Sequence, residues 1–200
     1  MAQKFSDQLE QWLKSKGRKT LADLEKVFGP KSFAITFLLL MAAPALPLPT
    51  AGITHIFEII IMLLCLQLFI GRETIWLPKR WRNTSLSSPR KIKVIAGIMK
   101  FVRFFERFSR PRLIKIVSSR FYLRVVAVLI FALTLSAFLA PPFSGLDTLP
   151  ALGVVIISLS IILEDAALLF IGLLVGVFGV VLEVTIGAEA FKFFHNFFKN

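Results

Sequence analysis

Two residues that can carry a proton lie inside an apolar run. His55 and Glu58 interrupt the segment from Ile53 to Ile70, and a spacing of three sets them on one face of a helix, close enough to share a proton. Asp147 stands in the turn before a later apolar run, where a carboxylate caps the helix expected from about Leu149. At the other ends of the same runs come Gln67, Arg72 and Glu73 in the first half and Glu164 with Asp165 in the second. Ionisable groups at the ends or within apolar helices are unfavourable unless they are paired or wetted. Those eight residues are therefore the candidate functional polar residues. If the two halves pack side by side, Arg72 is placed to neutralise Glu164 or Asp165. Exposure to water at an interface is the competing reading for His55 and Glu58, and a structural role for the others.

No established catalytic cluster is present. The sequence has no phosphate-binding loop or nucleophile elbow, and its two His and one Cys show no metal-ligand spacing. Ser88-Pro89-Arg90-Lys91 matches a Ser-x-x-Lys string, but at a basic helix start it reads as a cap followed by charge. Cys65, inside an apolar run, is a small packing residue with no disulfide partner. The expectation is a protein that is not an enzyme, with no catalytic residue, no cofactor and no metal.

The elements around these residues are apolar and short. Apolar residues make up 56% of the 200, only 18% are charged, and the mean hydropathy is +0.76, more apolar surface than a soluble domain of this size can hide. The net charge of +12 sits in the flanks of the apolar runs, a distribution that points to a bilayer rather than to nucleic acid. Seven basic residues and no continuous apolar core in residues 1–31 predict no cleavable secretory signal. Phe5, Leu9, Trp12 and Leu13 oppose Asp7, Glu10 and Lys14 in a short amphipathic helix. Thr20-Leu21-Ala22-Asp23 reads as a capping box for a second short helix, ended by Gly29-Pro30.

A first apolar segment is expected from Ser32 to about Leu48, a second from Ile53 to Ile70, a third from Phe121 to about Ala140, a fourth from Leu149 to Leu163 and a fifth from Ala166 to about Leu182. Seventeen residues reach only about 25 Å, short of a hydrocarbon core of roughly 30 Å. The hairpins therefore sit in a thinned bilayer or dip in without crossing. In the fifth segment Gly172-x-x-x-Gly176 permits close helix approach. Between Gly71 and Arg124 there are fifteen basic residues. Pro89 opens an amphipathic helix there, with Ile95, Ile98, Val102, Phe105 and Phe108 opposite Lys100, Arg103, Arg107 and Arg110. This helix suits the anionic inner leaflet. Trp76-Leu77-Pro78 with Lys79 and Arg80 forms an interfacial anchor.

The halves share a plan of basic amphipathic helix, apolar segment, Pro-rich turn and apolar segment. A shift of 94 positions sets Phe37 on Phe131, Ala43 on Ala137, Pro47 on Pro141, Thr50 on Ser144 and Thr54 on Thr148. The fold class expected is an all-α integral membrane protein. It has four or five short transmembrane or re-entrant helices in two tandem hairpin repeats, plus amphipathic interfacial helices. One domain spans 1–200, with repeat units at about 5–78 and 89–165, an extra helix at 166–186 and an interfacial tail at 187–200. The basic stretches hold twenty-two of the twenty-four Lys and Arg residues. They place the amino terminus and the middle inside and the Pro-rich turns outside, and a fifth crossing would put the carboxyl terminus outside.

The runs Pro44-Ala45-Leu46-Pro47-Leu48-Pro49, Leu66-Gln67-Leu68-Phe69-Ile70-Gly71-Arg72 and Trp76-Leu77-Pro78 carry a resemblance, extended in order by Asp147-Thr148-Leu149-Pro150-Ala151 and Leu163-Glu164-Asp165. Together, over roughly residues 5 to 185, they resemble the ExoD family of bacterial exopolysaccharide synthesis proteins. The chain departs from the family pattern at His55 and Glu58, where small or apolar residues are usual, and at Ala166, where Gly is common. The resemblance implies a multi-pass protein of the bacterial cytoplasmic membrane that supports exopolysaccharide synthesis or export. Two rival activities are transport of ions or of a polyprenyl-phosphate lipid carrier, and a scaffold that docks synthases. Expected partners are membrane lipids of the anionic inner leaflet, the exopolysaccharide synthesis machinery and a second copy of the chain as a homo-oligomer, with no nucleic acid.

Overall fold

The computed structural model describes residues 5–15, 20, 23, 27–29, 31–46, 53–72, 74–76, 89–109, 119–141 and 144–199. Every regular element among them is helical: α1 Phe5–Lys14, α2 Lys31–Met41, α3 Ile53–Phe69, α4 Pro89–Glu106, α5 Arg120–Leu139, α6 Thr148–Leu163 and α7 Ala166–Lys199. Two of these, α5 and the Ala166–Glu189 part of α7, are long and apolar enough to cross a membrane; α2, α3 and α6 are apolar but shorter.

The centre of the bundle is α6. From Gly153 to Leu163 each of its residues is buried, because α7, α2 and α5 cover it on three sides. Its two serines are satisfied within the helix, Ser158 Oγ donating to the Val154 carbonyl and Ser160 Oγ to that of Ile157, both at 2.7 Å. The closest packing is between α6 and α7, and glycines allow it. A Cβ on Gly153 would lie 2.6 Å from the Gly176 Cα, and one on Gly172 would lie 2.8 Å from the Ile157 backbone nitrogen. The expected Gly172 and Gly176 approach is thus present, with Gly153 as its partner on α6.

Around this core α2 packs chiefly on α6, and α3 on α5. The contact of α3 with α5 runs antiparallel: the His55 ring meets Phe138 edge-on at 5.2 Å, while Cys65, Leu66 and Phe69 share a small apolar cavity with Ala127, Val128 and Phe131. Helix α2 is shorter than its apolar run. It stops at Met41 and continues as turns to Leu46, since Pro44 has no N–H to donate and its ring would collide with the carbonyl of Leu40. At the end of α5, Ala140 takes ψ 138° ahead of Pro141, as a residue before proline prefers. Helix α7 runs on without a break to Lys199, so residues 187–199, expected as a tail, are helical.

Helix α1 lies against α4 and Phe28. Phe5 and Trp12 meet Phe28 at 5.3 and 6.2 Å, and Phe5, Leu9 and Trp12 are buried. The capping box is formed: Thr20 Oγ1 and N donate to Asp23 Oδ2, and Asp23 N donates to Thr20 Oγ1. On α4, Val102 is buried and Lys100 and Arg103 are exposed as the pattern requires. Phe108 is displaced from the expected apolar face: α4 ends at Glu106, and Phe108 sits in the following turn, exposed. Side chains of Ile95, Ile98 and Arg110 fall outside the described residues.

Candidate functional site

The candidate residues fall at two ends of the bundle. At one end the start of α2 meets the end of α6. Glu164 closes α6 in the left-handed conformation (φ 56°), and its carboxylate accepts an ion pair from Lys31 Nζ at 2.7 Å. Arg72 does not take that place. The antiparallel packing of α2 on α6 delivers the first residue of α2 to the last of α6, whereas Arg72 follows α3, which packs on α5. Asp165 is buried and its Oδ1 accepts the Ala167 N–H at 3.0 Å, an N-cap for α7. Gln67 holds the chain after α3: its Oε1 accepts the Trp76 N–H at 2.7 Å, and its Nε2 donates to the Trp76 carbonyl at 3.4 Å. Gly71, at φ 91°, makes the reversal that brings Trp76 back to it. Glu73 lies outside the described residues.

Outside the bundle, α1 is clipped to α4 by polar contacts. Ser6 donates from N and Oγ to the two carboxylate oxygens of Glu106, at 3.0 and 2.5 Å. Glu10 accepts from Lys14 Nζ at 2.6 Å and also from Arg103. Lys14, and then Arg103, hold the Glu10 carboxyl below the usual carboxylate range. What this pairing adds to docking is present at neutral pH and fades as acid protonates Glu10.

At the other end, acidic groups stand on α3, at the head of α6 and on α7. Glu58 on α3 is fully buried, and its Oε2 lies 2.7 Å from Nδ1 of His55, whose side chain is 30% exposed. The other carboxylate oxygen, Oε1, is buried with no hydrogen-bond partner. Glu183 on α7 accepts a hydrogen bond from Ser136 Oγ on α5. Asp147, at the head of α6, lies within electrostatic range of both Glu58 and Glu183.

Asp147 does occupy the N-cap position, but not as a capping side chain. Its backbone is already helical (φ −63°, ψ −23°) and the carboxylate makes no cap bond. The start of α6 is instead closed by the turn at Gly145 (φ 70°), whose carbonyl accepts the Thr148 N–H at 3.3 Å. An N-cap side chain reaches its amide from an extended backbone, and here the turn removes that option. The carboxylate is left for the acidic cluster.

Glu183 and Ser136 were not among the candidates read from the sequence. The signal was present, since Glu183 is the one ionisable residue between Ala166 and Ala188. The fifth apolar segment is expected to end near Leu182, one residue short of Glu183, although the extra helix at 166–186 includes it. No group of three or more His, Cys, Asp or Glu side chains among the described residues could hold a metal ion. The chemistry this end supports is proton exchange between an imidazole and a carboxylate.

The comparisons with known proteins agree on a family. The family described as "Exopolysaccharide synthesis, ExoD" matches residues 5–185. A Synechocystis protein named "Uncharacterized protein slr1875" is 24% identical over 198 residues, covering 98% of this chain and 89% of its own length. Protein ExoD of Rhizobium meliloti is 26% identical over 149 residues, 73% of this chain and 61% of that protein. No solved structure matches.

Proposed function

The chain belongs to the ExoD family, and on that premise we propose that it is a multi-pass protein of the bacterial cytoplasmic membrane that supports exopolysaccharide synthesis or export without itself catalysing a reaction. The family match over residues 5–185 carries the exopolysaccharide part. The membrane part is supported by a belt of large apolar side chains on the outward faces of α3, α5 and α7. Leu63, Leu66 and Phe69, Phe121, Val128 and Leu139, and Phe170, Leu174, Phe178 and Val181 are all exposed. Contiguous apolar surface on that scale is stable against lipid and not against water. The lengths of α2, α3 and α6, about 16, 25 and 24 Å, suit a locally thinned bilayer.

In this reading Lys31, Glu164, Arg72 and the basic face of α4 lie at the inner leaflet, where Lys100 and Arg103 meet anionic lipid beside the exposed rings of Phe101 and Phe104. Taken as two tandem hairpin units, the halves would interlock. Exchanging the two units turns the α2–α6 contact into the α5–α3 contact, and these are the two principal packings between the units. A second reading, passage of an ion, is favoured by the buried Glu58 and its acidic neighbours.

The test is a deletion strain together with cell fractionation. The chain should stay in the inner-membrane fraction after high-salt and carbonate washes, and the deletion should lower the amount, length or export of exopolysaccharide. Unchanged polysaccharide in all three respects would remove the exopolysaccharide role. A chain that is monodisperse and folded in buffer without detergent would remove the membrane role.

A further inference from the structure

Around Glu58 there is acid without base other than one imidazole. The sequence has no Lys or Arg from residue 32 to 71, nor from 125 to 191, and those stretches supply this end of every helix in the bundle. The groups facing the pair can be named element by element. On α3 they are His55 and Glu58 themselves. Asp147 comes from the head of α6, and Glu183 on α7 lies within electrostatic range of Asp147. Helix α5 gives the ring of Phe138, while its Ser136 is bonded to Glu183, and α2 gives no titratable group at this end.

Two buried polar atoms stand unsatisfied in this region. One is Glu58 Oε1, and the other is Thr134 Oγ1, fully buried on α5. The antiparallel register fixed by His55 on Phe138 and by the Cys65, Ala127 and Phe131 cavity brings Glu58 to the level of Thr134. A fully buried carboxylate with an orphaned oxygen, and a further carboxylate, Asp147, within electrostatic range, is strongly unfavourable unless a positive species joins it. Among the described residues His55 is the basic group paired with it, and they form no metal-ion cluster.

We propose that the His55–Glu58 pair is a proton-loading site at the Pro-rich end of the bundle, with Asp147 as a further acidic group within electrostatic range of Glu58. In the empty state a neutral imidazole donates its Nδ1–H to an ionised Glu58, and the pair carries one negative charge. A proton arriving on the partly exposed ring makes the imidazolium, which passes its Nδ1 proton to Oε2. The result is a neutral imidazole and a neutral carboxylic acid, one proton richer and without net charge. Oε1 is then a carbonyl oxygen, for which a missing donor costs less than for a carboxylate oxygen. His55 is the entry, Glu58 the store. The inference rests on the ion-passage reading only for the proton's destination.

The experiment is infrared difference spectroscopy of the full chain in lipid nanodiscs, titrated with acid. The wild type should show the C=O band of a buried protonated carboxyl, absent in Glu58→Gln, and His55→Asn should move its midpoint by about one pH unit. Glu58→Asp keeps a carboxyl and should keep a titrating band, so it serves if Glu58→Gln does not fold. A Glu58→Gln spectrum identical to wild type, or Glu58→Asp and His55→Asn midpoints identical to wild type, would overturn the site. Repeating the titration with sodium in place of choline should leave the band unchanged. Loss of the band on adding sodium at fixed pH would replace the proton by sodium and overturn the assignment. Proton flux into vesicles is a separate measurement: a titrating Glu58 without flux, or with flux unaltered in Glu58→Gln, keeps the site and removes ion passage through it.

Discussion

Glu164 and Asp165 divide one helix corner between them. Glu164 holds the left-handed residue that ends α6 and reaches Lys31, while Asp165 turns inward and caps α7 through the Ala167 N–H. Their importance was legible because an acidic pair closing an apolar run has few stable explanations. The partner was not legible, because a counterion is chosen by which helix packs on which, and Lys31 is 133 residues away from Glu164 in the chain. Asp147 fails as a capping side chain for a local reason, the turn at Gly145, that composition does not reveal. Asp165→Ala should lower stability by about 1 kcal/mol through loss of the cap, and Asp165→Asn, which keeps an acceptor oxygen, should lose less. Thermal unfolding in detergent measures both, and equal losses for the two variants would mean that charge rather than capping holds the corner.

Helix identities followed the apolar runs closely, and helix ends followed the punctuation. Ala140 before Pro141, Gly71 after α3 and Pro89 opening α4 all stand where their residue types demand. Pro44 cut α2 further back than its hydrophobicity suggested, because backbone geometry overrides apolar content. The small-residue spacing on α7 was visible, but Gly153 on α6 was not, since a lone glycine in an apolar run has no signature until its partner helix is known. Gly153→Val would drive side-chain atoms into the Gly176 and Gly172 backbone, where no rotamer change relieves them. A loss of 1–3 kcal/mol or about that order is expected. Gly187→Ala, with nothing near its added methyl, should be neutral or stabilise α7 by about 0.5–1 kcal/mol. Denaturation of the two variants beside wild type decides it; a tolerant Gly153→Val would mean that the α6–α7 interface is loose.

At the scale of the whole molecule, the proposed membrane placement implies one orientation from charge, length and packing. The basic stretches flank the end where Lys31 meets Glu164, and the acidic cluster marks the opposite, Pro-rich end. Because α6 descends from Asp147 to Glu164 and α7 climbs back to Glu183, α7 then continues for sixteen residues past Glu183 to Lys199, about 24 Å beyond the acidic cluster. In the proposed membrane placement, positive charge held at the cytoplasmic leaflet would put the Pro-rich turns and the end of α7 on the outer side. Single cysteines at Thr50, Ser85, Ser144 and Asn200, in a Cys65→Ala background, make this measurable with a reagent that cannot cross the membrane. Thr50, Ser144 and Asn200 should label in intact cells stripped of their outer membrane, and Ser85 only after permeabilisation. Labelling of Thr50 and Ser144 from the inside alone would mean that both hairpins are re-entrant, and would place the His55–Glu58 pair in contact with the cytoplasm.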